Sequence, residues 1–188
     1  MRLLLDVGAA TDVGKVREHN EDCFTTARFG GGDLLMVCDG MGGHAAGDLA
    51  SRIACSAITA SVLAMQQTDP RELLYRAAQK AHDEVRQAAE ASPEAHGMGT
   101  TCVVALVREG QLYLGNVGDS RLYLVRDGAV RQLSVDQTKV QHMVEHGVLT
   151  PAEARKHPEA GVLSQAIGHK QEIEPYVEPT ADGIALRD

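Results

Sequence analysis

The first place in this sequence where chemistry could be done is an acid that closes an apolar run and is followed by glycines. Met36-Val37-Cys38 leads into Asp39-Gly40-Met41-Gly42-Gly43-His44. A carboxylate at the end of a buried strand is held rigidly and half out of water, with the open backbone carbonyl of Gly40 beside it. Hard divalent cations take that kind of oxygen ligand set. By itself, Asp-Gly after a strand is a turn signal, so the metal reading needs support from elsewhere in the chain. A second dense polar group, Arg17-Glu18-His19-Asn20-Glu21-Asp22, lies upstream. Taken alone, Asn20-Glu21-Asp22 reads as a solvated loop.

The elements between these groups decide whether they meet. Residues 23–29 and 33–38 have strand character and are separated by Gly30-Gly31-Gly32, a hairpin signal. Pairing them brings the polar group and Asp39 to the same end of neighbouring strands. Residues 3–10 also have strand character, ahead of a turn at Thr11-Asp12-Val13-Gly14. From 44 to 65 the pattern is helical, with Leu49, Ile53, Ala57, Ala60 and Ala64 on the expected buried face. Asp69-Pro70-Arg71-Glu72 supplies an N-cap, a proline at the first helical position and a capping-box Glu. The helix it opens carries Leu74, Ala77, Ala81, Val85 and Ala88 on one face and ends near Ser92-Pro93. His82, among charged residues, reads as solvated helix surface.

Beyond Gly97-Met98-Gly99, residues 100–107, 111–117, 122–126 and 129–133 are β-rich, with Asp127-Gly128 a strong hairpin signal. They are expected to form an antiparallel meander. Asp136-Gln137-Thr138 opens a helical stretch over 140–146 capped by Gly147, and Thr150-Pro151-Ala152-Glu153 is a capping box for a short helix ended by His157-Pro158. Strands, two helices, strands and a helical excursion define an α+β chain with antiparallel sheets.

Composition narrows the function. The chain has 188 residues and a formal net charge of -8, with a pI near 5.4. That balance argues against broad binding to nucleic acid or anionic membranes, which need basic faces. No apolar run is long enough for a signal peptide or a bilayer span. Cys23, Cys38, Cys55 and Cys102 have no metal-type spacing and read as buried reduced thiols of a cytoplasmic protein.

Taken together, the motifs resemble the metal-dependent serine/threonine protein phosphatases, the PPM or type 2C class, in their bacterial form. The carrying segments are Thr11-Asp12-Val13-Gly14 with Arg17 and Asn20-Glu21-Asp22, then Cys38-Asp39-Gly40-Met41-Gly42-Gly43-His44. Gly97-Met98-Gly99-Thr100-Thr101, Val117-Gly118-Asp119-Ser120-Arg121 and Arg126-Asp127-Gly128 follow in the family's order. The resemblance implies a single domain over 1–188, a four-layer α-β-β-α sandwich of two antiparallel sheets flanked by helices, with a flap subdomain over about 136–168. It implies that Asp39 bridges two Mn²⁺ or Mg²⁺ ions, with the Gly40 carbonyl as a further ligand. Glu21 and Asp22 would bind metal or its waters, and Asp119 would help hold a third, weaker ion. Two cations sharing a water lower its pKa and prepare it to attack phosphorus. Arg17 would grip the phosphoryl oxygens with a planar fork. His44 is a candidate general acid, with a structural role at the helix start equally open. His19, His142, His146, His157 and His169 have bland readings as loop, helix-surface or turn residues.

The activity so implied is hydrolysis of phosphoserine and phosphothreonine in proteins. The implied partners are phosphorylated proteins and a Ser/Thr kinase, met by a cytoplasmic monomer with no nucleic-acid or membrane partner. Three departures bear on this. Gln137 stands where the family usually has His within Asp-His-Ser, and Gln165 where it usually has Arg. The third is that the family's closing strands, with two further aspartates, are missing before Asp188. The chain therefore reads as a C-terminally truncated phosphatase. Its rival is a phosphatase-like module without activity that binds a phosphoprotein or kinase.

Overall fold

The computed structural model describes residues 4–43, 45–169, 172–179 and 183–186. Strand β1 (Asp22–Phe29) runs into β2 (Gly32–Met41) through a two-residue turn at Gly30-Gly31. That turn fixes the antiparallel register in which Asp22 faces Asp39 and Cys23 faces Cys38. Helix α1 (Ala45–Ala64) and helix α2 (Pro70–Ala91) follow. The chain then returns through β3 (Gly99–Thr100), β4 (Cys102–Arg108) and β5 (Gln111–Val117). Hairpin β6 (Tyr123–Arg126) and β7 (Ala129–Gln132) comes next, then α3 (Lys139–Glu145), α4 (Pro151–Ala154), β8 (Tyr176–Glu178) and β9 (Ile184–Ala185). The main sheet has the order β1-β2-β4-β5-β8, with β3 paired to β2 and β9 to β5, and β6–β7 form a second antiparallel sheet. The α+β class with antiparallel sheets is borne out.

Both long helices lie on one face of the main sheet. Leu34, Met36 and Cys38 of β2 and Val104 and Leu106 of β4 meet Ala50, Ala54, Ile58 and Val62 of α1 and Leu73, Leu74, Ala77 and Val85 of α2. With almost no aromatic side chains, this core is filled by aliphatic and small residues, and alanines let the helices approach the strands closely. The buried stripe of α1 therefore runs through Ala46, Gly47, Ala50, Ser51, Ala54, Ile58, Ser61 and Val62. The face expected from sequence is rotated from this: Ala57 is buried, but Leu49 is 42% exposed and Ala60 and Ala64 are exposed. Helical spacing fits several adjacent stripes, and the close approach selects the one with the smallest side chains. On α2 the expected face is the observed one. Asp69 caps the helix by accepting from the Arg71 N–H at 2.9 Å, while Glu72 pairs with Arg76 instead of closing a capping box.

Three further expectations are corrected. Residues 4–10 form no strand, and Leu4 is 79% exposed: apolar character makes a strand only where a ladder partner exists. The meander stops at β5, because β8 pairs with that strand at Leu114↔Glu178 to Asn116↔Tyr176. The β6–β7 hairpin then stands as its own sheet, with Asp127 and Gly128 both at positive φ. His82 is not solvated: it is 2% exposed, and its Nδ1 accepts the Gly168 N–H at 3.2 Å. The returning chain at 166–169 covers it. Burial first, and the neighbouring Arg86 charge second, push its pKa below the usual imidazole range.

Candidate active site

At the end of the sheet where β1 begins and β2 finishes, a cavity of about 1060 Å³ opens. Arg17, Glu21, Asp39, Gly40 and Asp119 all line it. Asp22 is not among the lining residues, although it sits directly across the ladder from Asp39. His44 lies outside the described residues.

The backbone of Asp39 is pinned from both sides. Its N–H donates to Thr101 Oγ1 at 3.0 Å. Its carbonyl accepts from Thr100 Oγ1 at 2.9 Å and from the Thr101 N–H at 2.9 Å. Thr101 Oγ1 is also 2.7 Å from Ser120 Oγ, so one hydroxyl links the Asp39 strand to the turn carrying Asp119. Next along the chain, Gly40 donates its N–H to the Glu21 carbonyl at 3.1 Å. A β-carbon at Gly40 would collide with the carbonyl of Gly47, and one at Gly47 would collide with the Glu21 carboxylate. The start of α1 therefore packs backbone to backbone against the acidic strand end, a place for glycine alone.

Negative charge accumulates here. Burial, then the Asp22 charge, raise the Asp39 carboxyl above its ordinary range, with Arg17 pulling it back and Asp119 adding to the rise. Asp119 is raised in turn by burial and by Asp136. Carboxylates held close enough to hinder one another's ionisation, beside the backbone carbonyl of Gly40, suit a hard divalent cation, which relieves their repulsion. The set is open: among the described residues, no three His, Cys, Asp or Glu side chains converge to hold an ion by themselves. Backbone carbonyls and water would complete the coordination, as they commonly do for Mg²⁺-like ions.

The opposite wall comes from the 136–169 segment and includes Lys139, Val162, Gln165 and His169. Lys139 is turned toward Glu159, 2.8 Å away. His19 and His169, read from sequence as bland loop and turn residues, both line the cavity. Thr100 and Thr101 belong to the Gly97-Met98-Gly99-Thr100-Thr101 motif, whose residue types alone assign them no role. Their hydroxyls could be found only from the pairing of β3 with β2, at Gly40↔Thr100.

The sequence and the fold find their counterpart in known proteins. The chain belongs to the protein phosphatase 2C family, whose model matches residues 14–171. It is 38% identical over 178 residues to the serine/threonine protein phosphatase PstP of Mycobacterium tuberculosis, covering 92% of this chain and 33% of that protein. It thus spans about one third of the length of that relative. The serine/threonine phosphatase stp of Listeria innocua is 34% identical over 189 residues, with 94% of this chain and 73% of that protein covered. Among solved structures, serine/threonine phosphatase Stp1 of Staphylococcus aureus superimposes with a TM-score of 0.86 at 31% identity, over 95% of this chain and 72% of that one. The catalytic domain of PstP in complex with two manganese ions superimposes with a TM-score of 0.67 at 34% identity, over 88% of this chain and 67% of that one. Enzymes of this family are metal-dependent. No described helix is long and apolar enough to cross a membrane.

Proposed function

We propose that the chain is a metal-dependent phosphatase acting on phosphoserine and phosphothreonine in proteins. The observation that carries the reading is the meeting of Arg17, Glu21, Asp39, Gly40 and Asp119 in one cavity. Asp39 with the Gly40 carbonyl, assisted by Glu21 and Asp22, would hold two Mn²⁺ or Mg²⁺ ions, and Asp119 a third, weaker one. Such a dinuclear centre supplies a water made acidic enough to attack phosphorus at neutral pH. Arg17, at the rim, orients the phosphoryl group by donating to its non-bridging oxygens. The P–O bond to the seryl or threonyl oxygen breaks, and that oxygen takes up a proton, for which His44 is the candidate donor. No covalent phosphoenzyme is required. Thr101 keeps the Asp39 and Asp119 walls in register, so the donor set is organised before any ion arrives.

In this reading residues 1–188 belong to a single phosphatase domain, and about 136–168 act as a flap whose Lys139 and Gln165 face the phosphoprotein across the cavity. The relatives' names, serine/threonine phosphatases, support phosphoproteins as the substrates, and a Ser/Thr kinase that makes them is the partner this reading implies. Net negative charge fits a protein without nucleic-acid or anionic-membrane partners, and a cytoplasmic monomer completes the proposed setting. One observation favours a second reading, a phosphatase-shaped binding module without turnover: the open donor set among the described residues. Calorimetric Mn²⁺ titration separates the two. Two or more bound ions, lost in Asp39→Asn, support the enzyme, whereas one weak ion or none supports the module.

A further inference from the structure

Gln137 carries none of the roles above, yet all four of its polar groups are used. Its N–H donates to the Gly118 carbonyl at 2.9 Å, and its carbonyl accepts the Ser164 N–H at 2.9 Å. The side-chain Oε1 accepts the Gly118 N–H at 2.8 Å, and Nε2 donates to the Glu174 carbonyl at 3.0 Å. One residue thus clamps Gly118 on both its N–H and its C=O, and the next residue along the chain is Asp119. Gly118 has φ of +99°, and a β-carbon there would collide with Thr101. The turn is therefore built on the residue with the most backbone freedom, and that freedom must be removed for Asp119 to have one direction. Asn116 assists from the strand side, where its Nδ2 donates to the Gly118 carbonyl at 3.1 Å. Beyond Asp119, Ser120 is tied through Thr101 to the Asp39 backbone.

We propose that Gln137 is a positioning residue for Asp119: its carboxamide locks the Gly118 turn, aims the Asp119 carboxylate into the cavity, and so sets divalent-cation affinity. The inference rests on the reading of Asp119 as a ligand given above. A carboxamide offers one acceptor and one donor and does not titrate, so the clamp is kept at every pH at which the fold survives. It also reaches Glu174 and couples the aim of Asp119 to the chain that leads into β8. Outer partners of this kind commonly govern metal affinity without touching the ion.

The test is Mn²⁺ binding by calorimetry on the full chain at pH 8, with thermal unfolding recorded alongside. Wild type is compared with Asp119→Ala, Gln137→Ala, the double variant and Gln137→His. Gln137→Ala is expected to weaken Mn²⁺ roughly ten-fold and to add nothing in the Asp119→Ala background. A neutral imidazole restores one acceptor and one donor, so Gln137→His is expected to recover most of the affinity. If Gln137→Ala does not fold, Gln137→Met, which keeps the length and loses both side-chain bonds, takes its place. Wild-type Mn²⁺ affinity in Gln137→Ala, with Asp119→Ala still weak, overturns the inference and leaves the site reading standing. Additive losses in the double variant, with no recovery in Gln137→His, reduce Gln137 to a structural residue and also overturn it. Unchanged affinity in Asp119→Ala overturns the ligand assignment, and the inference with it.

Discussion

The two walls of the cavity are built differently. On one side, Asp39 sits at the end of a strand whose neighbours are buried on the helix-covered face, with Leu34, Cys38 and Leu106 all at 1% exposure or less. On the other, the 136–169 segment buries only Val140, Ala154, Ala166 and Ile167 among its apolar side chains. It is organised instead by end caps, the Lys139–Glu159 pair at 2.8 Å and backbone bridges at Thr138↔Leu163 and Thr100↔Ile167. Burial of apolar area is cooperative and hard to undo locally, whereas solvent-exposed hydrogen bonds open at low cost. The difference teaches a division of labour: the acidic wall is anchored in the core, and the facing wall is free to adjust to what enters the cavity.

The contrast can be broken most forcefully from the core side. Leu106→Ala removes a fully buried side chain of β4 and is expected to cost about 2–5 kcal/mol of global stability, read by denaturant unfolding. A loss below about 1 kcal/mol would mean that the acidic wall is not core-supported. Next in size is Thr101→Val, which strands the Asp39 N–H and the Ser120 hydroxyl. The expected cost is about 1–3 kcal/mol, together with a fall in kcat that exceeds any change in KM. Equal changes in both would place Thr101 in substrate binding instead.

The joint between the walls is His82, and pH addresses it. Its folded pKa is depressed below the ordinary imidazole value of 6.5, so the unfolded chain takes up the proton first. Stability from this group is complete above about pH 6.5 and falls as pH drops below it. Arg86 and His169 deepen that depression, while Asp83 and Glu172 oppose it. His82→Gln keeps an acceptor for the Gly168 N–H and does not titrate, so its melting temperature is expected to decline less than wild type between about pH 7 and 5.5. Parallel declines would remove His82 from the joint. The smallest effect belongs to the facing wall. Thr150→Ala dissolves the capping box of α4, in which Thr150 N–H meets Glu153 Oε2 at 2.8 Å. It is expected to cost about 0.5–1 kcal/mol, seen as faster amide exchange confined to that segment. Exchange that quickens in β4 as well would show the two walls to be one cooperative unit.

How much of this was legible in the sequence follows from the range of each interaction. The hairpin that sets Asp22 against Asp39, the Asp69 cap and the Thr150 capping box are written in residues a few positions apart, and all three are present. Asp39-Gly40 and the Arg17–Asp22 group could be matched because their order and spacing carry the family pattern. Contacts between distant segments were not legible. Nothing near His82 announces that Gly168 will cover it, and nothing near Leu49 says that the alanine stripe beside it faces the sheet. Gln137 and Gln165 stood out only as departures from the family pattern. Both turn out to make bonds across the chain, Gln165 through its Oε1 to the Glu174 N–H at 3.1 Å. Such roles depend on tertiary geometry, which local propensity does not encode.

The most direct measurement is phosphate release from a phosphothreonine peptide by the 188-residue chain, with Mn²⁺ and with EDTA, beside Asp39→Asn under the same conditions. The account predicts release that requires Mn²⁺ and falls to background in the variant. Release that persists in EDTA, or that Asp39→Asn retains at near-normal rate, would contradict it.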